Sequence, residues 1–157
     1  MVEVRAAVEA DVPQILRFIH ALGEYEQLSA EVLATEGALR TTLFGVRPYA
    51  EVALAYCDRE PAGYALYFHN YSTFLAQPGL YLEDLFVDPA LRKHGVGRAL
   101  LRYVAGLAVA RGCGRLEWSA LDWNRLAIDF YLQLGAEVMS EWSSYRLTGE
   151  PLQALAR

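Results

Sequence analysis

Cysteine is scarce in this chain: Cys57 and Cys113 are the only two, and their spacing fits neither a metal knuckle nor a disulfide framework. Long apolar runs are lacking too, and the start MVEVRAAVEAD does not have the layout of a signal peptide. The expectation is therefore a cytoplasmic, reducing setting with no membrane partner. Basic charge is also short. With 14 Lys and Arg against 19 Asp and Glu, the net charge is −5, which argues against nucleic acid and leans towards a cationic partner. No repeat, low-complexity run or linker interrupts the chain, so residues 1–157 read as one domain. What is abundant is apolar: 54% of the residues are hydrophobic, enough at this length for a real core.

The periodicities predict an α/β chain. Val2–Ala7 alternates as a strand, and Asp11-Val12-Pro13 opens a helix with the stripe Val12, Ile15, Leu16, Ile19 and Leu22. A second helical piece is predicted over Glu31–Leu43, weakened by Gly37. Glu51–Cys57 and Gly63–His69 read as a hairpin joined by Asp58-Arg59-Glu60-Pro61, Tyr71–Leu80 as a loop, and Leu80–Val87 as a third strand. A helix with Leu100, Leu101, Val104, Leu107 and Ala108 on one face ends at Gly112, and Leu116–Leu121 returns as a strand. A strand–helix–strand return of that length implies a locally parallel pair. Asp122-Trp123-Asn124 can cap a further helix bearing Ala127, Phe130, Tyr131 and Leu134 and stopping at Gly135. Strands at Glu137–Ser140 and Ser144–Leu147 complete a mixed sheet, antiparallel first and parallel in the middle.

The densest local code is Asp88-Pro89-Ala90-Leu91-Arg92-Lys93-His94-Gly95-Val96-Gly97-Arg98, between a strand and a helix. It is not a P-loop, which needs G-x-x-x-x-G-K-[ST]. Nor is it a dinucleotide fingerprint, because Leu100 stands where the third glycine belongs, although Glu117 lies about where a ribose-binding acid would. What remains is an anion site of backbone N–H groups at a helix start, with Arg92, Lys93, His94 and Arg98 around it. Two glycines and these cations suit a pyrophosphate better than a carboxylate.

On these residues the chain resembles the GNAT-type N-acetyltransferases. Arg92–Gly97 fits their R/Q-x-x-G-x-G/A acetyl-CoA signature, and Asn124–Gly135, NRLAIDFYLQLG, is similar to their second motif. Leu80–Val87, LYLEDLFV, resembles the corresponding strand of the diamine (spermidine/spermine) and thialysine N-acetyltransferases, and the helix ending in Tyr25-Glu26 fits that subgroup. The resemblance covers essentially the whole chain. It implies the GNAT fold, acetyl-CoA as co-substrate with no metal, a homodimer, and a bulge in the Leu80–Val87 strand.

It also implies roles. The backbone of Leu85, Phe86 and Val87 would pair with the pantetheine arm. The amides from Lys93 to Arg98, Gly95, Val96 and Gly97 among them, would hold the pyrophosphate, with Asn124 and Ala127 as further cofactor contacts. An alkylammonium has a pKa of about 10.4, so an amine must lose a proton before it attacks a thioester. Glu83 and Asp84 are the acids at hand. Strand alternation sends neighbours to opposite faces unless the pleat is broken, and Glu83 is the preferred acceptor, directly or through water. Tyr131 matches the family's acid for the leaving thiolate; helical spacing alone would make it a core aromatic.

Tyr25, Glu26, Glu83, Asp84, Glu117 and Trp118 supply the acidic and aromatic surroundings that attract an ammonium. The diamine enzymes carry two acids after the last helix. Here only Glu141 stands in Ser140–Ser144, which turns the expectation towards a smaller amine or an amino-acid side chain. Three functions compete: a small-amine N-acetyltransferase, a protein lysine or N-terminal acetyltransferase, and a non-catalytic acyl-CoA-binding module. The first is preferred, because the Glu83 and Tyr131 positions are both filled and the Tyr71–Gly79 segment reads as a lid over a small pocket.

Overall fold

The computed structural model describes all of residues 1–157. The chain divides into two compact units, Met1–Ser119 and Ala120–Arg157.

The first unit is a five-stranded sheet in sequence order: β1 Val2–Ala6, β2 Glu51–Cys57, β3 Glu60–Ser72, β4 Gln77–Val87 and β5 Leu116–Trp118. The first four strands are antiparallel and β4 pairs β5 in parallel, the mixed order that the sequence implied. Three helices belong to this unit: α1 Val12–Tyr25, α2 Glu36–Phe44 and α3 Val96–Ala110. Val12, Ile15 and Phe18 of α1 pack with Leu39 and Leu43 of α2 against Val52, Leu54, Tyr64 and Phe86 of the sheet. The alternate residues Ala53, Ala55 and Ala65 are equally buried, as are Val96, Leu100, Leu101, Val104 and Ala108 of α3. Both sheet faces are thus covered, which explains strands that are apolar almost without alternation.

Three predicted boundaries move. The helix expected at Glu31 begins at Glu36, where the Thr35 side chain accepts from the Ala38 N–H at 3.1 Å. That cap places Gly37 in the first turn. The β2–β3 turn is tighter than read, because Asp58 and Arg59 both take positive φ (49° and 75°), the geometry of a two-residue I′ hairpin. The loop reading of Tyr71–Leu80 is overturned, and with it the lid of Tyr71–Gly79. β3 runs on to Ser72 and β4 starts at Gln77, with Tyr71 opposite Pro78. Proline and glycine suggested a loop, but Pro78 forfeits only one donor there, and its carbonyl accepts from Gly114 N–H at 3.0 Å. The segment is a hairpin end, so it gives no reason to prefer a closed pocket.

In the second unit, α4 Arg125–Gln133 forms as expected, ending before Gly135 with φ of 91°, and α5 Gly149–Leu155 follows. Two expectations fail. Glu137–Ser140 and Ser144–Leu147 are not strands, and β5 stops at Trp118 instead of Leu121. Alternation makes a strand only where a neighbouring backbone supplies ladder bonds, and residues 137–147 pair with none. Trp142 and Tyr145 in that segment are 77% and 94% exposed. No helix is long and apolar enough to cross a membrane.

Candidate active site

The hairpin of β3 and β4 holds a register shift that sets the site. Leu66 pairs with Asp84 and the next residue, Tyr67, pairs with Leu82, leaving Glu83 as the extra residue of a bulge. Neighbours Leu66 and Tyr67 alternate in direction, so Leu82 and Asp84 face opposite sides although they are two apart. Asp84 therefore lies on the α1 face with Tyr64 and Phe86. Glu83 is exposed at the bulge.

Asp84 sits in a constrained place. The hydroxyl of Tyr64, itself wholly buried, donates to Asp84 Oδ2 at 2.8 Å. Burial pushes the Asp84 carboxyl above the usual carboxylate range and the Glu83 charge adds to this, while the Tyr64 bond pulls the other way. Glu26, just past the end of α1, is raised by burial and then by the charge of Asp84. Burial and the Asp84 carboxylate likewise push the Tyr64 phenol far up, so it stays a donor. Tyr25 lies under the Arg92 guanidinium, 4.7 Å from ring centroid to carbon, a cation–π contact tying the end of α1 to the segment before α3. Neither Glu83 nor Asp84 takes part in an ion pair: Arg115 approaches Glu117 and Arg92 lies on Tyr25.

On its other side β4 parts from β5 early. Their parallel pairing covers only Leu80, Tyr81 and Leu82, whereas β4 continues to Val87 with β3 alone. The edge from Glu83 to Val87 thus offers backbone groups that no strand takes. Its end leads through Asp88, whose Oδ1 accepts from Ala90 N–H at 2.9 Å, into the glycine segment. Gly95 has φ of 81°, and the first helical bond of α3 runs from Ala99 N–H to its carbonyl at 3.0 Å. The amides just before Ala99 stand outside the ladder, at the positive end of the helix dipole.

Within this segment Lys93 and Arg98 are exposed and Arg92 is spent on Tyr25. His94 turns back on the loop: its Nδ1 lies 2.9 Å from the Arg92 carbonyl and 3.1 Å from that of Leu91. Two carbonyls are acceptors only, so Nδ1 carries the hydrogen and His94 braces the turn. A Cβ at Gly97 would meet only Val87 Cγ2, at an ordinary 3.6 Å, so the protein's own packing does not demand that glycine. Phe86 is buried, and Leu85 and Val87 are half-buried.

Glu117 and Trp118 lie on β5 rather than beside Asp84. Asn70 Nδ2 donates to Glu117 Oε1 at 3.3 Å, and Arg115 approaches the same carboxylate at 3.9 Å, so Glu117 has a bracing role. In the second unit, Asn124 caps α4, its Oδ1 accepting from Ala127 N–H at 3.3 Å, and Tyr131 is half-buried two turns on. No group of three or more His, Cys, Asp or Glu side chains is placed to hold a metal ion. Sequence reasoning brought together Tyr25, Glu26, Glu83 and Asp84 but missed Tyr64. The available signal was a phenol among the apolar residues Ala62–Leu66, two residues from the partner of an acid in the hairpin register.

A sheet that splits beside a glycine-led helix suits an acyltransferase, and the sequence comparisons give that class. Residues 19–136 match the Acetyltransferase (GNAT) family, and the chain belongs to it. Thialysine N-epsilon-acetyltransferase of Bos taurus is 39% identical over 99% of this chain and 97% of its own. L-ornithine N5-acetyltransferase of Arabidopsis thaliana is 35% identical over 97% and 86%. Among solved structures, an integron cassette protein from the mobile metagenome of V. cholerae superposes with a TM-score of 0.84 at 26% identity, covering 99% of this chain and 98% of that one.

Proposed function

We propose that the protein transfers the acetyl group of acetyl-CoA to the primary amine of a small molecule, most simply an amino acid with a side-chain amine. The observation that carries this reading is the free β4 edge from Glu83 to Val87, running into the glycine start of α3 with the half-buried acid Asp84 on the neighbouring face. Relatives named for thialysine and ornithine, both amino acids with a side-chain amine, give the substrate class.

In this reading the pantetheine arm adds to the open edge at Leu85, Phe86 and Val87 as a strand would. The amides of Val96, Gly97 and Arg98, with Lys93 and Arg98 as cations, hold the pyrophosphate, while Arg92 and His94 shape the turn. Acetyl-CoA supplies the thioester. Tyr25, Glu26 and Asp84 bind the ammonium, with Glu117 and Trp118 further out along β5. Glu83, exposed at the bulge, accepts the proton that the amine must lose, directly or through water. Tyr131 returns a proton to the leaving thiolate, and Asn124 and Ala127 complete the cofactor contacts. Residues 1–157 act as one domain, as a homodimer, in a cytoplasmic setting where the free Cys57 and Cys113 remain thiols.

The test is acetyl-CoA consumption across ornithine, thialysine, spermidine, arylamines and lysine-containing peptides. Turnover on the amino-acid amines is expected. Turnover confined to peptides would overturn the reading.

A further inference from the structure

Tyr64 is the most unusual large side chain in the core. It is 0% exposed, its ring stacks on Phe18 of α1 (centroids 5.8 Å apart, planes within 4°), and it leans on Phe86 at 6.4 Å. A phenylalanine would make the same packing without the cost of burying a hydroxyl. That hydroxyl has a partner only because Asp84 lies half-buried on the same face, where partial burial is itself unfavourable to its charge. Neither group repays the fold. They make sense together as a device that holds a carboxylate in place.

We propose that Tyr64 is a positioning residue for the amine: its hydroxyl fixes Asp84 so that the carboxylate, with Glu26, meets the acceptor's ammonium. The inference rests on the amine-acetylating reading above and deepens it. The bulge at Glu83 turns Asp84 to the α1 face, and the Phe18 stack fixes Tyr64 relative to the helix after which Glu26 lies. The bond occupies Oδ2, leaves Oδ1 for the ligand and favours the ionised carboxyl. The Asp84 charge raises the Glu26 pKa, a repulsion that one cation between the two acids relieves. The titrating groups around Asp84 are Tyr64 on β3, Glu83 on β4 and Glu26 beyond α1.

Tyr64→Phe keeps the ring and removes the bond. The KM for the amine should rise about tenfold, the order of effect of a hydrogen bond to a charged group, while the KM for acetyl-CoA stays put. The acid limb of kcat/KM for the amine should move to higher pH, because Asp84 loses the bond that favours its charge. A ¹³C titration of the Asp84 carboxyl should move the same way without any turnover. Adding Tyr64→Phe to Asp84→Ala, which leaves no acceptor for the hydroxyl, should weaken amine binding no further in calorimetric titration. An unmoved acid limb and amine KM in active Tyr64→Phe would overturn this inference alone. A wild-type protein that acetylates no amine would overturn it together with the proposed function.

Discussion

Asp84 shows how one residue can be placed against its own interest. Folding raises its pKa through burial first and the Glu83 charge second. A raised carboxyl adds stability in acid, below its unfolded pKa, and that contribution disappears as pH rises through the folded pKa. Near neutrality the ionised group therefore works against the fold. Asp84→Asn, whose amide oxygen can still accept from Tyr64, should raise Tm by a few degrees at neutral pH. The gain should shrink in acid, and amine acetylation should be lost. Calorimetry at two pH values with a turnover assay checks all three. The glycines separate in the same manner. Gly95→Ala meets no atom but is forced into positive φ, at a cost of about 1 kcal/mol or more. Gly97→Ala is unstrained and should leave Tm unchanged or slightly higher, yet weaken acetyl-CoA binding about tenfold if its amide seats the pyrophosphate. Calorimetric titration with CoA measures it, and unaltered affinity would remove Gly97 from the anion site.

Among the elements, the β3–β4 hairpin carries most of the site and was read least well. Its strands were legible from their apolar and aromatic runs. Their length was not, because Pro78 and Gly79 signal a break in isolation and are accommodated once Gly114 supplies a partner. The bulge came from family resemblance alone. Nothing in LYLEDLFV says which residue is extra, since that depends on where β3 starts to pair. The other hairpin offers a clean test. Arg59 sits at φ of 75° in a two-residue turn, a position that favours glycine. Arg59→Gly should stabilise the protein by about 0.5 kcal/mol, visible as a higher urea midpoint with acetyl transfer unchanged. The cap of α4 was fully legible: Asn124 precedes the helix in sequence and accepts from Ala127 as that spacing requires.

At the scale of the molecule, residues 137–147 keep the alternation of strands while pairing with none, and they expose Trp142 and Tyr145. A surface of that kind is what a second copy would cover, and it supports the proposed homodimer. Sedimentation of the wild type should give about twice the chain mass of 17.5 kDa, and Trp142→Glu should shift the population towards monomer. A monomeric wild type would remove the dimer from the reading.

The sequence by itself determined the elements whose signals are local: the α1 and α3 stripes, the glycine segment and the Asn124 cap. Each depends on residues a few positions apart, where propensity, capping and backbone freedom act without help from the rest of the chain. It also determined the family, since those motifs recur at fixed spacing. Only the tertiary structure decided which acid is half-buried, which face it takes and what holds it. Those outcomes depend on pairing between strands twenty residues apart, where one inserted residue, Glu83, reverses the direction of Asp84 and brings it to the hydroxyl of Tyr64.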